Sequence, residues 1–190
     1  GHALALAALR RGARVILVSG PTALSPPSGV VYVPVQTAEE MREAVLQHLR
    51  HATIVVKAAA VADYRPKSQS PIKIASKQDE ITIELTPNPD ILKEIGARKG
   101  GAFLVGFAAE THDVGARARA KLQSKGIDLL VVNDVSQTGI GFESDDNQVA
   151  LLDRWGGTID LPRMTKLQVA HAIYDRVLSL RAAKPERVPR

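Results

Sequence analysis

Ala102-Phe103-Leu104-Val105-Gly106-Phe107, a capped segment from Thr111 to about Gly126, and Asp128-Leu129-Leu130-Val131-Val132 decide the fold class. Each flanking run is short and continuously apolar, as strands covered on both faces are. Thr111 offers a hydroxyl to cap a helix, and Gly126 offers a stop. Strand, helix, strand is the β-α-β unit, whose strands run parallel because the crossover returns the chain to its starting edge.

The alternation continues in both directions. Upstream, Thr53-Ile54-Val55-Val56-Lys57 reads as a strand and Val15-Ile16-Leu17-Val18 as a buried strand. Val30 to Val35 reads as a strand that ends or lies at an edge, because Pro34 removes a ladder donor. Residues 3–11 form a helix stopped by Gly12, and Thr37-Ala38-Glu39-Glu40 is a capping box for a second helix to about Arg50. Ile81 to Leu85 alternates and predicts a strand. Asn88-Pro89-Asp90 opens a helix, with Asn88 at the N-cap and Pro89 at the first helical position. A polar loop over 63–80 is longer than ordinary connections. Downstream, Gln148 to Leu152 and Thr158 to Leu161 predict a hairpin around Trp155-Gly156-Gly157. Thr165-Lys166-Leu167-Gln168 is a capping box, continued by Leu167, Ala170, Ile173, Val177 and Leu178 at helical spacing.

The class is therefore α/β: a Rossmann-like, doubly wound, mostly parallel sheet with helices on both faces. One domain over 1–181 and a basic tail over 182–190 are expected. A doubly wound domain ordinarily begins with a strand and a phosphate loop. Here a helix pattern comes first, so the expectation is an N-terminally incomplete domain.

Composition narrows the function. The chain has 190 residues, 45% of them apolar and 24% charged, which is globular. It has no cysteine, which removes disulfides, thiolate nucleophiles and Cys-ligated zinc. No apolar run approaches the ~18 residues of a membrane span. The net charge of +5 is concentrated at the two ends, and aromatic residues are 4%, too few for stacking platforms. Neither nucleic acid nor membrane is expected as a partner, and the expected location is cytoplasmic.

In doubly wound sheets ligands bind beyond the carboxyl ends of the strands. Segments 57–63, 86–92, 106–112 and 133–147 fall there. A helix start at Asn88-Pro89-Asp90 suits an anion or a hydrogen-bonding group, or is an ordinary cap. Small residues from Ala58 to Ala62 allow close approach to the backbone, and Asp63 could hold a sugar hydroxyl or a water-bound Mg²⁺, or the stretch is simply an alanine-rich turn. Lys121 and Lys125 share a helix face and could meet phosphates or merely be solvated. Lys73 and Lys77 could swing over a bound phosphate or be solvated surface lysines. Asn133-Asp134 could bind a polar ligand or form a turn. His48 and His51 lack a third ligand, so no metal site is read, and Ser19-Gly20-Pro21 is no nucleophile elbow.

The order of these segments is more specific than any of them. Val-Ser-Gly-Pro (18–21), Ala-Ala-Ala-Val-Ala-Asp-Tyr-Arg (58–65), Lys-Ile (73–74), Asn-Pro-Asp-Ile-Leu (88–92), Val-Gly-Phe-Ala-Ala-Glu-Thr (105–111), Val-Asn-Asp-Val (132–135) and Gly-Phe-Glu-Ser-Asp-Asp-Asn (141–147) occur in sequence. Over nearly its whole length the chain resembles phosphopantothenate–cysteine ligase, the synthetase domain of bacterial coenzyme A biosynthesis. The resemblance implies that the carboxylate of 4′-phosphopantothenate attacks the α-phosphate of CTP, and that the amine of L-cysteine then displaces CMP. It implies Mg²⁺ with the triphosphate, a homodimer, and a flavin-dependent decarboxylase domain fused upstream. The family's nucleotide contacts fall on Lys57, Ala58, Ala59, Asp63, Pro89, Asp90, Ile91, Leu92, Phe107, Lys121 and Lys125, and its reactive flap lysine falls on Lys73. The family flap reads Lys-Ile-Lys-Lys; here it is Lys73-Ile74-Ala75-Ser76, with Lys77 displaced by one.

Two other readings stay open. An NAD(P)-dependent Rossmann oxidoreductase fits the β-α-β order, although no tyrosine has a lysine four residues on. A non-catalytic nucleotide-binding domain fits as well.

Overall fold

The computed structural model describes residues 1–68, 72, 81–110, 114–134 and 146–183. In chain order the elements are α1 His2–Arg10, β1 Ile16–Ser19, β2 Val31–Pro34, α2 Ala38–Leu49, β3 Ile54–Lys57, β4 Tyr64–Pro66 and β5 Leu85–Pro87. They continue with α3 Ile91–Arg98, β6 Phe103–Glu110, α4 Val114–Ser124, β7 Leu129–Asp134, β8 Asp146–Asn147, β9 Val149–Asp153, β10 Thr158–Asp160, β11 Met164–Thr165 and α5 Lys166–Ala182.

The main sheet has the order β10-β9-β7-β6-β3. It is parallel from β3 through β6 to β7 and antiparallel from β7 to β9 to β10. The parallel half carries the expected β-α-β unit, and the β9–β10 hairpin supplies the antiparallel edge. Alternation along the strands sorts two cores. Phe103 and Val105 of β6, with Leu129 and Val131 of β7, face Leu4 and Ala7 of α1 and Ala170, Ile173 and Val177 of α5. Leu104 and Leu130 face the other way, against Ile91, Leu92 and Ile95 of α3 and Ala118 and Leu122 of α4. Each of these Val, Leu, Ile and Phe side chains contributes roughly 1.5–3 kcal/mol by leaving water, and each alanine less. Tyr174 joins the two helices of the first face by donating its hydroxyl to the Leu4 carbonyl at 3.1 Å, and burial pushes its pKa up to about 12.

Several expectations are corrected. The 15–18 run is not a buried strand. β1 pairs in parallel with β2 in a separate two-stranded sheet, and Ile16 and Val31 are exposed. Apolar character told of a strand but not of its partners. The alternating stretch 81–85 is a strand only from Leu85, and Ile81 and Ile83 are exposed. Its partner is β4, which arises inside the segment read as a polar loop. The helix at 88–90 starts two residues late: Asp90 is the N-cap and accepts the Lys93 amide at 3.0 Å. In α5, Leu178 is exposed, while Val169 and Tyr174 are buried. The box at Thr165 is complete. At Thr37 the hydroxyl accepts the Glu40 amide, but the Glu40 carboxylate takes the Gln36 amide instead of that of Thr37.

Thr111, the 135–145 part of the loop leading to Asn147, and residues 184–190 of the basic tail lie outside the described residues.

Candidate functional site

A cavity of about 360 Å³ opens at the carboxyl ends of β3, β6 and β7. Parallel strands place their C-terminal residues side by side, so Lys57, Phe107 and Asn133 meet there although 76 residues separate the first and last. The segment after β3 (Ala58, Ala59, Ala60, Val61, Ala62 and Asp63) forms one wall. Pro89, Asp90, Ile91 and Leu92 at the start of α3 form a second, and Lys121 and Lys125 come from α4 and the turn after it. All eleven nucleotide-contact positions implied by the family resemblance thus line one cavity. Lys73 and Lys77 lie outside the described residues.

Asn88 joins the first two walls. Its backbone amide donates to the Asp63 carbonyl at 2.8 Å, and its side-chain amide donates to the Ala62 carbonyl at 2.8 Å. Its side-chain oxygen accepts from Arg65 at 3.0 Å, and Arg65 also donates to the Pro87 carbonyl. Freed from the cap, Asn88 ties the segment after β3 to the start of α3. Sequence reasoning missed this because an Asn before Pro-Asp looks like a cap, and both carbonyls it serves lie about 25 residues away.

Electrostatics favour an anion. Lys125 pairs with Asp90 at 3.1 Å. Burial pushes the Asp90 carboxyl up, but the Lys93 amide and the Lys125 ammonium outweigh it, so its pKa lies below the usual aspartate value. Lys57 has no ion-pair partner among the described residues. Burial first, and then the Lys125 ammonium, lower its pKa; the Asp90 carboxylate offsets part of this, Lys121 adds to the repulsion and Asp63 again opposes it. Holding a half-buried ammonium beside two others costs free energy that an anionic ligand would return. The N-terminal end of the α3 dipole acts in the same sense.

Among the described residues, no group of three or more His, Asp or Glu side chains is placed to hold a metal alone. Asp63 lines the cavity without an ion pair among the described residues. One carboxylate beside a lysine-lined wall fits a Mg²⁺ ion held in the usual way, through one or two protein carboxylates and the phosphates of a ligand. No described helix is long and apolar enough to cross a membrane.

A glycine-dependent contact also sets the geometry. Gly96 of α3 lies against the Lys125 carbonyl, and Gly126, at φ +61°, packs back on the Gly96 backbone. This close approach brings Lys125 to the N-terminus of α3.

Known proteins resemble this chain over nearly its whole length. A family model described as the DNA/pantothenate metabolism flavoprotein C-terminal domain matches residues 1–180. The coenzyme A biosynthesis bifunctional protein CoaBC of Bacillus subtilis (strain 168) is 46% identical over 188 residues, 98% of this chain and 46% of that protein. CoaBC of Escherichia coli (strain K12) is 43% identical over 183 residues, 94% of this chain and 45% of that protein. A crystal structure of the C-terminal domain of a CoaBC superposes with a TM-score of 0.82 at 40% identity, covering 97% of this chain and 83% of the other. The chain spans a little under half the length of these curated relatives.

Proposed function

The chain belongs to the DNA/pantothenate metabolism flavoprotein C-terminal domain family, and from that premise we propose that it is a CTP-dependent phosphopantothenate–cysteine ligase. The observation that carries the reading is the cavity in which Lys57, Lys121 and Lys125 converge on the start of α3. Its relatives act in coenzyme A biosynthesis by name.

In this reading the carboxylate of 4′-phosphopantothenate attacks the α-phosphorus of CTP. A P–O bond forms, the bond to pyrophosphate breaks, and an acyl-cytidylate results. The amine of L-cysteine then attacks the acyl carbon, CMP leaves with the electron pair, and the amine gives up a proton. The chain needs no nucleophile of its own. Its work is to align the reactants and offset charge on the phosphates, which Lys57, Lys121 and Lys125 are placed to do. The alanines after β3 admit the ligand close to the backbone. Bound Mg²⁺ would neutralise triphosphate charge, with Asp63 as the residue to hold it. Lys73 is assigned to the reaction by family resemblance. A flavin-dependent decarboxylase domain on the same polypeptide, a homodimer and a cytoplasmic location belong to the same proposal.

Calorimetric titration with Mg·CTP and Mg·ATP tests the nucleotide. CTP is expected to bind and ATP is not; equal heats, or none from CTP, overturn the reading. Lys57→Met is expected to weaken CTP binding roughly tenfold to a hundredfold, the range of a lost charge-assisted hydrogen bond. The same change should raise Tm, because an unpaired half-buried charge is removed. Lys73→Ala is expected to abolish amide formation while CTP binding and Tm persist; unchanged turnover would remove Lys73 from the reaction.

A further inference from the structure

Arg65 is exposed and stands on β4 opposite Thr86 of β5. No carboxylate pairs with it among the described residues. Its Nη1 donates to the Pro87 carbonyl at 2.9 Å and to the Asn88 Oδ1 at 3.0 Å. An ordinary solvated arginine would leave its donors in water. This one commits a guanidinium nitrogen to two neighbouring acceptors, and the second belongs to the side chain that ties the cavity walls.

The local sequence makes Asn88 the residue that must be held. Pro87 and Pro89 flank it and carry no N–H, so its amide is the one backbone donor of the three residues. The ring of Pro89 also keeps Asn88 out of the helical region. From there the backbone amide donates to the Asp63 carbonyl and the side-chain amide to the Ala62 carbonyl. Two consecutive carbonyls of the segment after β3 thus depend on one asparagine. The second bond needs the carboxamide the right way round, and its two ends have nearly the same shape but opposite chemistry. A guanidinium has donors only, so the oxygen turns to Arg65 and the NH₂ to Ala62. The positive charge also polarises the carboxamide and strengthens the bond that it donates.

Ala62, Asp63 and Asn88 line the cavity, and Arg65 does not. We propose that Arg65 is a positioning residue: through the Asn88 carboxamide it holds the wall that carries Asp63 beside the start of α3, so that the Asp63 carboxylate is placed to take a cation bound with the ligand. This rests on the reading of Asp63 as the residue that holds Mg²⁺.

CTP titrations at graded Mg²⁺ concentrations, and without Mg²⁺, test it. Arg65→Met keeps the length of the stem and removes the donors. It is expected to raise the Mg²⁺ concentration for half-maximal CTP binding about tenfold. CTP affinity without Mg²⁺ should stay the same, because Lys57, Lys121 and Lys125 are untouched; a general loosening of the fold would lower both. Arg65→Lys, which keeps a charged donor, should recover most of the loss. Asn88→Ala should show the same shift, and adding Arg65→Met to it should change nothing more, since residues that act through one another are not additive. Exchange of the Asn88 amide hydrogen should quicken in Arg65→Met while the β6 amides keep wild-type rates. An unchanged Mg²⁺ requirement, an equal loss without Mg²⁺, or additive losses in the double variant would overturn the assignment. A wild type that takes no CTP, or takes it without regard to Mg²⁺, would overturn the reading of Asp63. The Asn88 exchange rate then decides for Arg65 alone, and a rate equal in wild type and Arg65→Met would overturn its role as well.

Discussion

Gly96→Ala is expected to destabilise the protein by about 3 kcal/mol or more, the upper end for forced overpacking. The added methyl group would run into the carbonyl of Lys125, which is backbone and cannot swing aside as a flexible side chain would. Gly126 offers no relief, since its own backbone packs on Gly96 at a positive φ. The methyl group must therefore push α3 and the end of α4 apart. That separation would also part Lys125 from Asp90, so the molecules that still fold should bind ligand more weakly. Urea denaturation reads the first effect and calorimetry below the transition reads the second. Gly101→Ala is the control, because a Cβ there meets nothing within 4 Å; a similar loss in both variants would refute the close-packing account.

Asp128→Asn is the second large effect, with an expected loss of about 3–5 kcal/mol. Asp128 is only 2% exposed and sits just before β7, at the end of the sheet opposite the cavity. It accepts the Leu104 amide at 2.8 Å and pairs with Lys99 and Arg154. The asparagine can still receive the amide, but it leaves the Lys99 ammonium, itself largely buried, without this counter-charge. Burial pushes the Asp128 carboxyl up, but the Leu104 amide, Lys99 and Arg154 outweigh it, so its folded pKa lies below the ordinary value. A carboxyl depressed in the folded state contributes stability that is fully present above its unfolded pKa of about 3.9 and is lost as pH falls through the folded value. Asp153, held by Arg176 and the Trp155 and Gly157 amides, is shifted in the same direction against its own burial. The wild type should therefore lose stability below about pH 4, and Asp128→Asn should flatten part of that acid limb. Because Asp128 is far from the cavity, CTP affinity of the folded variant should match the wild type; an affinity loss would mean the two ends of the sheet are coupled.

Much of this protein is readable one element at a time. The apolar runs of β3, β6 and β7, the cap at Thr165 and the β9–β10 hairpin depend on groups a few residues apart, and periodicity and hydrogen-bonding chemistry report those directly. The order of the short motifs also carries the family, because the site collects strand ends that the β-α-β rule delivers to one edge. What the chain order could not supply were choices between distant partners. Apolar character at 15–18 did not say that β1 would pair only with β2 among the described residues, nor did alternation at 81–85 say where β4 would meet it. Asn88 carries the residues of a cap, yet its hydrogen bonds run to Ala62, Asp63 and Arg65, and Asp90 takes the cap. Gly96 reads as a poor helix residue until the Lys125 carbonyl lies against it. The sequence by itself determined most of the element types, the two-faced core and the edge where the cavity lies, because these follow from local hydrogen bonding and hydrophobic period. Only the tertiary structure decided which polar groups meet across that edge, because a contact between residues 25 or more apart has no local signature.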